Sequence, residues 1–292
     1  MFGIEMDEKF FAELQKDCCW FTIPMFETLP DIDPSVDIMD RSIWRDDACV
    51  QRHIFAMIFG GFGYSVNLSK ASLIIAVKLQ QLERWEPENQ SLNNPEFIRW
   101  IGLFAQYYIL WGTVFAYQHD YITSAQCLMN GLKTGAINLF MPYCDFIRYV
   151  LSKVEKMPAE YAEYDGCGFS VDEPMGGIEL NGGTLIASAA EMIIPSLEGN
   201  NGEIVLAYRG GQRYGNLVRM GSVKSDKFRN CIDVYEVLMV SRDGKLKKMK
   251  LYFNGYFSLQ NRYTIRLPKG FRLEPSSQAA QIFKVINNHE TI

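Results

Sequence analysis

The sequence predicts an α+β fold in segregated parts: an N-terminal all-α domain, then a mainly antiparallel β domain, a small barrel or a curved sheet, closed by a terminal helix. Three observations carry this expectation. Apolar residues recur at helical spacing up to about Lys156, they alternate with polar ones at period two beyond residue 200, and an acidic, Gly-rich stretch separates the two regimes. The limits that follow are 1–158 for the helical domain, 159–182 for an acidic Gly-rich linker or loop, and 183–292 for a basic β domain. With 292 residues, 48% hydrophobic and 22% charged, the chain is long enough for two cores and too apolar for a disordered or low-complexity protein.

Taken in order, Asp7–Trp20 places Phe10, Phe11, Leu14 and Cys18 on one side of a helix, and Pro24, Pro30 and Pro34 then demand an extended connection. Asp46–Phe59 reads as a second helix stopped by Gly60-Gly61, and Asn67 or Ser69 caps a third that runs from Lys70 to Trp85. Glu86–Pro95 is a loop. Helices over Glu96–Gln118 and Tyr121–Leu132 follow, then a segment interrupted by Pro142 that ends near Lys156.

Beyond the acidic stretch, Thr184–Ile194 is ambiguous between strand and helix and stops at Pro195. Glu203–Tyr208 and Tyr214–Val223 read as strands. Cys231–Ser241 and Leu246–Phe253 flank Arg242-Asp243-Gly244-Lys245, whose Asp-Gly pair supplies the positive backbone angles of a tight hairpin. Tyr263, Ile265 and Leu267 alternate with Arg262, Thr264 and Arg266 in another strand, and Gln278–Asn287 forms the last helix.

Net charge is −5, but it is unevenly spread: residues 1–200 carry 13 Lys and Arg against 27 Asp and Glu, and residues 201–292 carry 16 against 7. Such a dipolar chain invites self-association of opposite charges, or a nucleic-acid partner for the basic part. The seven cysteines form no C-x-x-C pair and no disulfide framework, so a reducing, cytoplasmic setting is expected. Glu5, Asp7 and Glu8 stand where a secretory signal requires positive charge. Trp100–Gln118 is uncharged over 19 residues, yet Gln106, Gln118, three tyrosines and two glycines mark a buried helix, and no membrane partner is expected.

Catalytic constellations are thin, and the expectation is a non-enzymatic protein without cofactor or metal. The histidines are His53, His119 and His289, and neither H-E-x-x-H nor G-x-S-x-G occurs. Cys167, between two glycines, is a candidate thiol, but neighbouring carboxylates raise its pKa and quieten it. Asp243-Gly244-Lys245 has the acid-x-Lys form of metal-dependent nucleases, but it sits at an expected hairpin tip and turn chemistry explains it fully. The Gly60-Gly61-Phe62-Gly63 loop lacks phosphate-cradle spacing.

Two surfaces remain. Tyr108, Trp111, Gly112, Phe115, a turn at His119-Asp120-Tyr121, then Ser124, Leu128 and Gly131 alternate large and small residues as two close helices require. This pattern, over about residues 103–136, resembles one tetratricopeptide repeat, although Ala136 stands where that family closes with Pro, Ser124 replaces Ala, and no second copy follows. The resemblance implies a helical hairpin that binds a polypeptide, and Tyr108, Phe115, Tyr117 and Tyr121 are its candidate contacts, with acidic rims that favour a basic partner. The second surface is the basic β domain. There Arg209, Arg213, Tyr214, Lys247, Lys248, Lys250 and Tyr252 combine cations for phosphates with aromatics for bases. Lysines on an exposed strand that prevent edge-to-edge pairing produce the same pattern.

Overall fold

The computed structural model describes residues 46–60, 64–88, 94–133, 144–177, 190, 193–206, 217–228, 231–255, 265–275, 277 and 279–280. The helix expected at Asp7–Trp20, the proline-rich connection after it, Pro142, and all of the terminal helix but Ala279 and Ala280 with their neighbour Ser277 lie outside these residues. The chain divides into two compact units, Met1–Lys153 and Val154–Ile292. Helices occupy the described part of the first and strands dominate that of the second, the α+β arrangement that the patterning predicts.

In the first unit, α1 (Asp47–Phe59) is capped by Asp46, whose carboxylate accepts the Cys49 N–H at 3.1 Å, and it ends at Gly60 with φ 73°. Nearly every residue from Val50 to Phe59 is buried, the polar Gln51, Arg52 and His53 included, so α1 is surrounded by protein on all sides. In α2 (Leu68–Arg84) the cap is Asn67, which accepts from the Lys70 N–H at 2.9 Å. The third helix, α3 (Pro95–Tyr117), begins inside the segment expected to be a loop. Asn94 caps it and Pro95 takes the first helical position, where no N–H is needed. α4 (Tyr121–Lys133) starts from Asp120, which accepts from the Thr123 N–H and hydroxyl at 3.1 and 2.6 Å, and α5 (Cys144–Glu155) follows.

The α3–α4 turn is closed by His119 at φ 60°, a left-handed conformation that costs a side chain about 1–2 kcal/mol. What holds the hairpin is close packing. The Ser124 hydroxyl donates to the Gly112 carbonyl at 2.7 Å, and a Cβ on Gly112 would stand 2.9 Å from Leu128 Cγ. Gly112→Val is therefore expected to force the helices apart and cost about 1–3 kcal/mol, read as a lower denaturation midpoint at unchanged slope.

The second unit is built on two long antiparallel strands, β6 (Cys231–Val240) and β7 (Leu246–Asn254). The turn between them differs from the expected one: Gly244 takes a positive φ of 79° and Asp243 does not. Asp243 instead accepts from the Ser241 hydroxyl at 2.5 Å, and this bond and one from Lys245 hold its carboxyl down to about 2. Shorter strands line the outer edges in succession. Along β7 run β1 (Glu160–Tyr161) and β2 (Met175–Gly177), both parallel to it, and along β6 run β5 (Leu217–Lys224) and β4 (Ile204–Val205), both antiparallel. The sheet is completed by β8 (Ile265–Arg266) beside β2, β3 (Leu197–Gly199) beside β4, and β9 (Phe271–Leu273) beside β3.

The path β8-β2-β7-β6-β4-β3-β9 has two ends, so the sheet formed by the described residues is open, as a curved sheet is and a closed barrel is not. The segment expected to be linker or loop supplies β1 and β2, and the ambiguous stretch before Pro195 ends in a 3-10 turn, Ile194–Ser196, that leads into β3. One face of the sheet holds a core that includes Met175, Leu197, Val237, Met239, Leu251 and Phe253.

Candidate functional site

Along α3 an aromatic stripe runs through Phe97, Trp100, Phe104, Tyr108, Trp111 and Phe115, at steps of three and four that keep all six on one side of the helix. Successive ring centroids lie 4.7–6.4 Å apart. The first three rings are buried; Tyr108, Trp111 and Phe115 are half-buried. Two indoles tie the stripe to α2, Trp100 Nε1 donating to the Leu82 carbonyl at 2.8 Å and Trp111 Nε1 to the Ser72 hydroxyl at 2.8 Å.

Of the four residues assigned to this surface from sequence, the structure brings Tyr108 and Phe115 together and separates the others. Tyr117 is turned to another side of α3 and meets Phe59 of α1 edge-on at 6.5 Å. Tyr121 is buried, its ring 6.1 Å from Tyr149, and so supports the hairpin from within. Trp111, read from sequence as hairpin packing, joins the exposed end of the stripe.

A buried polar network at α1, α2 and α3 was not singled out from the sequence. Lys78 Nζ lies 2.6 Å from Asp47 Oδ1, the Tyr107 hydroxyl donates to the same oxygen at 2.9 Å, and Arg99 approaches Asp47 Oδ2 at 3.6 Å. The Lys78 ammonium also sits 5.6 Å from the Tyr107 ring centroid. The signal was present: Ala71, Ile74, Ile75, Lys78, Leu79 and Leu82 form the core face of α2, and Lys78 is the one charge in it. Beside the network, Gln51 Nε2 donates to Gln106 Oε1 at 2.7 Å.

Burial, then the Asp47 charge and hydrogen bond, push the Tyr107 hydroxyl well above its ordinary value of 10.0. The folded protein keeps this proton at a pH where the unfolded chain loses it. Its contribution to stability is complete below the unfolded tyrosine value and declines as pH climbs from there toward the folded value. Denaturation midpoints measured at rising alkaline pH are expected to fall, and to fall less steeply in Tyr107→Phe.

The basic β surface is locally compensated. Lys248 lies 3.8 Å from Glu236, Lys250 faces Glu236 across the β6–β7 ladder, and Lys247 is in register with Glu160 of β1. Lys245 pairs with Asp243, Arg219 with Asp233, Lys269 with Asp165 and Arg272 with Glu198. The last two pairs join the basic end of the chain to acidic residues before position 200. Because those acidic residues fold into the same unit, residues 154–292 carry 17 Lys and Arg against 16 Asp and Glu. Aromatic company is present, since Lys250 Nζ lies 5.9 Å from the ring centroid of Tyr161, which is 50% exposed, while Tyr252 is half-buried. Arg209, Arg213 and Tyr214 lie outside the described residues.

Of the other sequence candidates, Asp243-Gly244-Lys245 sits in the β6–β7 turn, and Gly61, Phe62 and Gly63 lie outside the described residues. Burial, more than the Glu173 charge, raises the Cys167 thiol, Arg266 opposes it, and the thiol contacts the Pro174 carbonyl at 3.7 Å. Among the described residues no cluster of His, Cys, Asp and Glu could hold a metal ion, and no helix is long and apolar enough to cross a membrane. No family model, no curated protein and no solved structure matches the chain, so the resemblance of the α3–α4 hairpin to a tetratricopeptide repeat gains nothing from comparison.

Proposed function

We propose that this is a non-enzymatic interaction protein whose helical unit holds a basic polypeptide segment against Tyr108, Trp111 and Phe115 of α3. The observation that carries this reading is the change along one stripe, from rings fully packed at its N-terminal end to rings left half-open at its C-terminal end. Tyrosine and tryptophan in this state supply much contact area with little conformational entropy to lose, which is why they concentrate binding energy. Residues 1–153 carry 12 Lys and Arg against 18 Asp and Glu, an excess that lies wholly in residues 1–45 (4 against 10) and that favours a cationic partner.

The test is a titration of the full chain with basic amphipathic peptides. Tyr108→Ala and Phe115→Ala are expected to weaken binding by about 10- to 30-fold each, equivalent to about 1.4–2 kcal/mol, while Tyr121→Phe leaves it unchanged. Peptide affinities that both alanine variants retain would overturn the reading. Retention on single-stranded nucleic acid that weakens steeply with salt would favour the basic β surface instead.

A further inference from the structure

Four asparagines in the chain precede glycine: Asn130, Asn181, Asn201 and Asn254. A glycine in that position leaves its backbone nitrogen unshielded, within reach of the asparagine side-chain carbonyl carbon. Asn181 lies outside the described residues. Asn130-Gly131 is inside α4, where the backbone nitrogen belongs to the helical hydrogen-bond ladder. Asn254 is 4% exposed at the end of β7, in register with Gly176 of β2.

Asn201 differs in exposure and in lying outside helix and strand. It is exposed at the tip of the β3–β4 turn, and Gly202 follows it at φ 81°. The Gly202 N–H is held by a hydrogen bond local to the turn, to the Gly199 carbonyl at 2.8 Å, and the turn is closed by the Gly199 N–H on the Glu203 carbonyl at 2.9 Å. Asn201 donates its backbone N–H to Glu203 Oε2 at 3.1 Å and its side-chain amide to Oε1 at 3.4 Å. Those contacts tie Asn201 to Glu203 within the turn.

We propose that Asn201 is a site of spontaneous covalent modification, with the Gly202 backbone nitrogen as nucleophile and water as the co-reactant. The nitrogen adds to Asn201 Cγ, the new N–Cγ bond forms, the Cγ–Nδ2 bond breaks, and ammonia leaves with the Gly202 amide proton. Water then opens the cyclic imide at Cγ to give aspartate, or at the backbone carbonyl to give isoaspartate. No oxidant or reductant enters, and the net change is one side-chain amide hydrolysed. In the product the side-chain donor to Glu203 Oε1 is gone and a second carboxylate faces Glu203, which is only 8% exposed. The isoaspartate form also lengthens the backbone within the turn. Both changes loosen the junction of β3 and β4.

The experiment is incubation of the full-length folded protein in mildly alkaline buffer, followed by digestion and peptide mass spectrometry, with aspartate and isoaspartate forms separated by elution. The Asn201 peptide is expected to gain the mass of an NH2-to-OH exchange more than about 100-fold faster than the Asn130 and Asn254 peptides. Opening an exposed turn costs little, whereas opening a core helix or strand costs a large part of the global stability. The same chain in denaturant is expected to convert all three at comparable rates. A folded protein in which Asn201 converts no faster than the other two overturns the proposal, and so does an Asn201 lead that persists undiminished in the unfolded chain.

Discussion

Lys78→Ala is expected to destabilise the helical unit by about 3–5 kcal/mol, because it leaves the Asp47 carboxylate beside a buried tyrosine without its counter-charge. The Lys78 and Asp47 side chains are 6% and 14% exposed, so water cannot take over the lost role as it does at the surface. Arg99, at 3.6 Å and 62% exposed, is a poor substitute. The double variant Lys78→Met with Asp47→Asn removes both charges and keeps an acceptor for the Tyr107 hydroxyl. It is expected to recover most of the loss, since the penalty belongs to the uncompensated ion rather than to the absent pair. Denaturant unfolding followed by helical circular dichroism reads both. A single variant within about 1 kcal/mol of the parent would mean that the network is solvated and unimportant to the fold.

Gly176→Ala is the second large effect. Gly176 has φ 101°, and a Cβ there would lie 2.5 Å from the Asn254 carbonyl oxygen, a backbone atom that cannot swing away. Backbone strain of about 1–3 kcal/mol adds to a steric cost of about 1–3 kcal/mol, for a total of about 2–6 kcal/mol. The outcome checked is loss of the β2–β7 and β2–β8 pairings, seen as faster amide exchange along the outer edge of β7. Protection that survives the substitution would show that β2 does not depend on glycine there.

Much of the helical unit was legible because its signals are local. Asp46, Asn67 and Asp120 announce helix starts by the side-chain oxygens they offer, and Gly60 announces an end. The start of α3 was misplaced by a residue or so, since Asn94-Pro95 serves equally as loop or as cap and first turn. The two long strands were visible through period two, whereas β1, β2, β3 and β9 are two or three residues long and carry no period at all.

The acidic stretch was harder to read. Glycines and carboxylates suggested a linker, yet Glu160 and Tyr161 pair with Lys247 and Lys248 from far along the chain. That pairing is a tertiary fact, and it changes the electrostatics that sequence blocks implied. For the candidate surface, the repeat-like pattern named four residues, of which Tyr108 and Phe115 share one side of α3. Tyr117 meets α1 and Tyr121 is buried, because a hairpin pattern says which residues belong to the two helices and not which side is covered.

The central pair of strands has a consequence for how the second unit assembles. β6 and β7 are neighbours in sequence joined by a five-residue turn, so they can zip together with little chain entropy lost. β1 and β2 come from far upstream and are too short to persist alone, and they can attach only once that ribbon exists. Assembly therefore proceeds outward from a local nucleus, and the remote fragments are the last to arrive and the first to detach.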